Sequence, residues 1–160
     1  MAAFIKFEGV DGEAKDKDHQ AWSDLGSFGQ SIHQPGGGST GPSRRRGDVI
    51  LDDILVGKQL DKASPKIAEA ALKGTVFPVV RIDVAANFSD AGRVTYYQYE
   101  LRNVVVSSYT ITGSGRAREI PSEEATLSFE EIKVTYTEIG KKGKKKGNHE
   151  YSWKVEEGGS

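Results

Sequence analysis

There is no cysteine anywhere in these 160 residues. That excludes a disulfide framework, a thiolate metal site and a cysteine nucleophile, and it leaves the compartment open. An excess of one charge is missing too: 22 Lys and Arg against 23 Asp and Glu leave a net charge of -1. No global field draws the chain to nucleic acid or to an anionic membrane. No apolar run approaches the ~18 residues that span a bilayer. The chain starts directly on Phe4-Ile5-Lys6-Phe7, with no basic segment ahead of an apolar one, so no Sec-type signal peptide is expected. Export, if it occurs, needs another route. What the chain does have is 19 glycines and 9% aromatics, the profile of a β protein with many turns. Its length points to a single domain over 1–160, which buries about 68–70% of its unfolded surface without staples.

One stretch reads as a helix, residues 64–73. Ser64 is placed as the N-cap, its hydroxyl accepting a free N–H of the first turn. Pro65 suits the first helical position, where no donor is needed. Gly74 suits the left-handed position past the end. Ile67 with Ala71, and Ala68 with Leu72, stand four apart and make an apolar stripe. Glu69 precedes Lys73 in the favourable i,i+4 order, worth about 0.2–0.5 kcal/mol. A helix this short is marginal alone and has to lean on something.

The rest reads as strand and loop. Ala3 to Glu8 alternates Phe4, Lys6 and Glu8 against Ile5 and Phe7, and Gly9 to His19 is a polar loop. Trp22 to Ile32 is a strand of irregular apolar spacing, so a bulge is expected near Gly26 or Gly29. A mobile loop follows over about 35–47, beginning Pro35-Gly36-Gly37-Gly38 and running into Arg44-Arg45-Arg46. Asp48 to Leu60 is a third strand. Phe77 to Phe88 sets Val80, Ile82, Val84 and Phe88 against Arg81, Asp83 and Asn87. Arg93 to Asn103 and Val104 to Thr112 are two more strands, rich in Tyr, Val and Thr. Glu124 to Ile139 changes phase: Ala125, Leu127 and Phe129 give way to Ile132, Val134 and Tyr136, which places a bulge at Glu130-Glu131. A lysine-rich turn over about 140–148 leads to a last strand with Tyr151, Trp153 and Val155. The pattern gives a mainly β fold, a compact barrel or sandwich of two antiparallel sheets with one flanking helix.

Signals for chemistry are weak. His19, His33 and His149 lie far apart, in none of the metal-ligand spacings, and read as surface or loop histidines. Gly36 to Gly41 lacks the Gly-Lys-Ser/Thr ending of a P-loop. Glu123 with Glu124 and Glu130 with Glu131 are strand neighbours that point to opposite faces, so they read as solvated acids and not as catalytic pairs. Arg44 to Arg46 and Lys141 to Lys146 lack the interleaved aromatics of a nucleic-acid site and read as loop charge. Thr95-Tyr96-Tyr97-Gln98-Tyr99 is either core and sheet surface or an interface face. No catalytic, metal or cofactor site is expected.

Several segments together resemble one family. Lys58-x-Leu60-Asp61-x-Ala63-Ser64-Pro65-x-Ile67 is similar to the most recognisable segment of the hemolysin-coregulated proteins (Hcp), tube subunits of the bacterial type VI secretion system. Val10-Asp11-Gly12-Glu13-Ala14-x-Asp16-x-x-His19-x-x-Trp22, Ser27-Phe28 followed by Gln34-Pro35, Val106 to Tyr109, and Glu124 to Tyr136 resemble other family segments in the same order. The resemblance covers roughly residues 3 to 156. It implies a homohexameric ring with a central lumen, stacked into a tube that associates with a spike protein, a contractile sheath and effector cargo. It implies secretion from the bacterial cytoplasm without a signal peptide. It makes the loop with Gly36, Gly37, Gly38, Arg44, Arg45 and Arg46 a ring-stacking loop; a specific expectation added to it is that the arginines meet acids such as Asp52 or Asp53 of a neighbouring ring. It makes Phe28, Gly29 and Gln30 lumen-lining. Where many relatives carry Ser-Trp-Gly after the Ser-Phe pair, this chain has Gly29-Gln30-Ser31, so cargo preference does not transfer. The expectation is a structural protein and not an enzyme, without nucleic acid or stable membrane insertion. The alternatives are a monomeric ligand-binding barrel of lipocalin type and a nucleic-acid-binding barrel.

Overall fold

The elements follow one another as β1 (Ala2–Phe7), β2 (Ser23–Leu25), β3 (Ser27–Gly29), β4 (Ile32–His33), β5 (Ile50–Leu51), β6 (Ile54–Gln59), α1 (Ser64–Lys73), β7 (Val76–Phe88), β8 (Gly92–Thr112), β9 (Ser122–Ser128), β10 (Glu131–Ile139) and β11 (Lys145–Lys154). The computed structural model describes residues 1–34, 49–88, 92–115 and 119–155. The loop over 35–47, with Gly36, Gly37, Gly38, Arg44, Arg45 and Arg46, lies outside the described residues.

The large sheet is antiparallel in the order β2-β1-β7-β8-β9-β6-β3, with β10 and β11 branching from β8. Only Gly26 separates β2 from β3, so the two ends of that order are joined and the sheet closes into a barrel. The Gly26 N–H donates to the Gly57 carbonyl at 2.8 Å. The bulge expected here is thus a corner, at which the chain leaves β1 for β6. β4 and β5 form a separate two-stranded ribbon.

Two segments expected as separate strands are one. β8 runs for 21 residues, and Asn103, at φ 53°, bends it where a boundary was expected. Asparagine tolerates this left-handed region better than most residues, and its side-chain amide donates to Glu130 Oε2 at 2.8 Å. Conversely, the long strand expected over Glu124 to Ile139 is two. β9 pairs with the second half of β8, and β10 with the first half. The phase change is a strand break at Phe129-Glu130, and Tyr136 ends 45% exposed.

Inward residues of both halves fill the barrel: Ile5, Ile54, Val80, Ile82, Leu101, Val104, Leu127 and Ile132 are all at 1% exposure or less. Each such side chain contributes about 1.5–3 kcal/mol of burial. α1 closes one flank through Ile67 and Ala70, whereas Leu72 is 87% exposed. The apolar stripe runs through Ala63, Ile67 and Ala70, with Ala71 at its margin. Gly74 ends the helix in the left-handed conformation, its N–H reaching the Ala70 carbonyl.

Candidate functional site

Lys58 stands in phase with Ile54 and Val56 on β6, so its side chain enters the interior. Glu123 is its register partner on β9. The ammonium meets Glu123 Oε1 at 2.5 Å and Asp61 Oδ1 at 2.8 Å. The Ser64 hydroxyl donates to Glu123 Oε1 at 2.9 Å and accepts the Asp61 N–H at 3.0 Å. Tyr109 donates to the other Glu123 oxygen. Ser64 is therefore the first helical residue and not the cap: Ala63 holds that position, and Asp61 Oδ1 accepts the Ala63 N–H. Burial works against the Asp61 charge, yet Lys58, Ser23 and that N–H outweigh it and hold the carboxyl below its ordinary value. Burial, with the Glu123 carboxylate, pushes the Tyr109 phenol well up. Glu123, expected to be solvated, is 3% exposed. The cluster pins the start of α1 to the barrel. Serine beside lysine suggests a nucleophile, but the Ser64 hydroxyl is buried with its donor and acceptor both engaged.

The second buried cluster lies on the outside of the barrel wall. Alternation puts Phe4 on the polar face of β1, but residues 10–22 fold back over it. His19 stacks on Phe4 with centroids 4.2 Å apart, and Trp22 meets the imidazole edge-on at 4.8 Å. Asp16 Oδ2 lies 2.6 Å from His19 Nδ1, and Asp83 Oδ2 lies 2.8 Å from Nε2. Arg93 donates to Asp16 and Gln98 donates to Asp83. The hydrogen bond from His19 holds the Asp16 carboxyl below the usual carboxylate range, with the Asp18 N–H and Arg93 adding to it. His19, expected as a surface or loop histidine, lies in the loop but is 2% exposed, and Asp83, expected on the polar face of its strand, is 7% exposed. His33 and His149 are exposed beside Asp52 and Glu138. Among the described residues no group of His, Asp and Glu is arranged to hold a metal ion.

The open surfaces divide by strand. On β3, Phe28 turns inward and meets Tyr99 edge-on at 5.9 Å, whereas Gly29 faces out. Gln30 is half-buried, its amide nitrogen without a hydrogen-bond partner among the described residues. Gly29 shares its cross-strand row with Leu55, Thr126 and Ser108; the next row is Ser27, Gly57, Glu124 and Thr110. This outer face carries glycine and hydroxyl residues with Leu55, 44% exposed, and Glu124 among them, and Ser107 and Ser108 both meet the Thr126 hydroxyl. Asp52 and Asp53 already have partners within the chain, His33 and Ser107. Of the tyrosine run, Tyr99 is core, Tyr97 packs on the core, and Tyr96 meets Tyr136 at the surface. An apolar cleft of about 250 Å³ opens between Ile32, Val49, Leu51, Tyr151 and Trp153.

Comparison with known proteins agrees with this architecture. Residues 4–136 match the family model described as "Type VI secretion system effector, Hcp". The chain is 31% identical over 153 residues to Protein hcp1 of Pseudomonas aeruginosa, covering 95% of this chain and 93% of the relative. A solved structure of a type six secretion system protein aligns at a TM-score of 0.88 and 25% identity, covering 98% of this chain and 97% of the other. The fold is shared with Hcp1 from Salmonella typhimurium at a TM-score of 0.78 and 20% identity, covering 98% and 95%.

Proposed function

The chain belongs to the Hcp family of type VI secretion effectors, and on that footing we propose that it is a single-domain tube subunit which closes into homohexameric rings. The rings stack into a tube, carry effectors in the lumen and leave the cell without a signal peptide, in company with a spike protein and a contractile sheath. The protein works by assembly and transport and makes or breaks no bonds.

The observation that carries this reading is the filled barrel. A void among the core side chains, lined by Ile5, Phe7, Val56 and Ile67 among others, holds about 10 Å³. A lipocalin-type carrier needs an interior pocket of about 300 Å³ or more. A tube subunit instead needs a solid wall and its hole between copies. The outer face of β3, β6, β9 and β8 suits a lumen wall, because its glycine and hydroxyl residues, with Leu55 and Glu124 among them, keep most of the wall low and hydrated. Gly29 sits in that wall and Gln30 borders it. In the same reading Gly36 to Gly38 and Arg44 to Arg46 reach the next ring. Size-exclusion chromatography with light scattering tests the proposal: the expected mass is about six times the 17.4 kDa of one chain, and a monomer at every concentration overturns it.

A further inference from the structure

A neutral imidazole carries one hydrogen and one bare lone pair. His19 presents both ring nitrogens to carboxylate oxygens, at 2.6 and 2.8 Å. With both carboxyls ionised, each contact is a hydrogen bond only if that nitrogen is protonated; a bare nitrogen at such a distance from a carboxylate oxygen is repelled. We propose that His19 is a buried imidazolium acting as a proton-held latch, which fastens residues 8–22 to the barrel wall and lets them go when the ring loses its charge.

Asp16 belongs to the latched segment and Asp83 to β7, so the ring ties its own segment to a strand 64 positions further along the chain. Two carboxylates and one imidazolium leave an excess negative charge, which Arg93 of β8 meets at Asp16 Oδ1, 3.0 Å away. From β8 the neutral Gln98 faces Asp83. β1 contributes Phe4, and the segment itself adds Trp22 and the N–H of Asp18. No other charged group is in hydrogen-bonding contact with the ring among the described residues. Buried opposite charges on hydrogen-bonded partners attract strongly, and removing one leaves the other uncompensated. Loss of the ring proton therefore turns one attraction into a repulsion inside an apolar sandwich.

At its start the latched segment is held by the Glu8 N–H, which donates to the Val79 carbonyl at 3.1 Å, and by the Val10 N–H, which donates to the Phe7 carbonyl at 2.9 Å; beyond that it has two side-chain ties. Glu13 Oε2 accepts the Lys62 N–H next to α1, and Lys6 donates to Asp11 and to the carbonyls of Val10 and Ala21. Both are at the surface or only partly buried. Release of His19 uncovers Phe4, Ala14 and Ala85, the small apolar cluster outside the barrel. The device is a pH-gated exposure of that patch on the alkaline side, and it holds whether or not the chain forms rings.

The test uses the full chain labelled with ¹⁵N-histidine. Ring-nitrogen NMR reads the protonation of each nitrogen as pH is raised from neutral, and hydrogen exchange by mass spectrometry follows residues 9–22. The expected result is that both His19 nitrogens carry hydrogen at neutral pH. As the ring then loses its proton, the protection factors of 9–22, taken after division by the base-catalysed intrinsic rate at each pH, fall about tenfold or more, while those of β7 and β8 hold. Asp83→Asn, which supplies a neutral acceptor, shifts that release to lower pH. A neutral His19 tautomer at neutral pH, or protection of 9–22 that ignores the ring's state in the unmodified chain, overturns the proposal.

Discussion

Lys58 and Glu123 are register partners on neighbouring antiparallel strands, and their side chains meet at 2.5 Å with neither more than 7% exposed. Removing one partner of such a pair leaves the other charge buried and unmatched, at a cost of about 3–5 kcal/mol. Lys58→Met and Glu123→Gln are each expected to lose that much in urea unfolding. The double variant Lys58→Met/Glu123→Gln is expected to lose less than the sum of the single losses, because the Lys58–Glu123 attraction is lost only once, although Asp61 is left without its ammonium in both Lys58 variants. Additive losses would contradict the pairing.

The flank of the barrel distinguishes two helix residues of similar size. Ile67 is 2% exposed and Leu72 is 87% exposed. Ile67→Ala is expected to destabilise by about 2–5 kcal/mol, and Leu72→Ala to stay within about 0.5 kcal/mol. Chemical denaturation of the two variants checks both values.

Close approach, and not flexibility, explains one glycine. A Cβ on Gly12 would come within 2.5 Å of the Trp22 carbonyl oxygen and 2.7 Å of the Ser23 nitrogen. Backbone atoms cannot swing aside, so Gly12→Ala is expected to cost about 1–3 kcal/mol. Gly29 has nothing within 4 Å of such an atom, and Gly29→Ala is expected to stay within about 0.5 kcal/mol. Thermal unfolding separates the two.

The acid limb of stability follows from Asp16. Its folded carboxyl lies below the unfolded value, chiefly through His19. The stabilisation is present above the ordinary carboxylate range and is lost as pH falls through the folded value. Asp16→Asn is expected to be less stable at neutral pH and to show a flatter decline between neutral and acid pH. An unchanged slope of unfolding free energy against pH would contradict this.

The sequence makes the helix legible because Pro65 and Gly74 punctuate it, each with a backbone requirement that few residues meet. Ser64 misleads: a serine before proline fits a cap, but its hydroxyl is drawn to Glu123, 59 positions away. No local pattern reports such a contact. A signal was nevertheless present. Lys58 is in phase with Ile54 and Val56, and Glu123 with Ala125 and Leu127, so opposite charges sit on the inward parity of two strands. The His19 cluster carries no such mark, because a polar loop turned it inward and covered Phe4 against the alternation of its strand. The break at Phe129-Glu130 was visible as a phase change. Its cause, two strands lying along successive halves of β8, depends on pairing across the chain.

The central claim is that identical copies surround an empty centre. Negative-stain electron microscopy of the purified full chain measures it directly. Annular particles of six-fold symmetry with an open bore, present alone or in short stacks, are expected. Compact particles without a central hole, at concentrations where light scattering reports a single species, would contradict it.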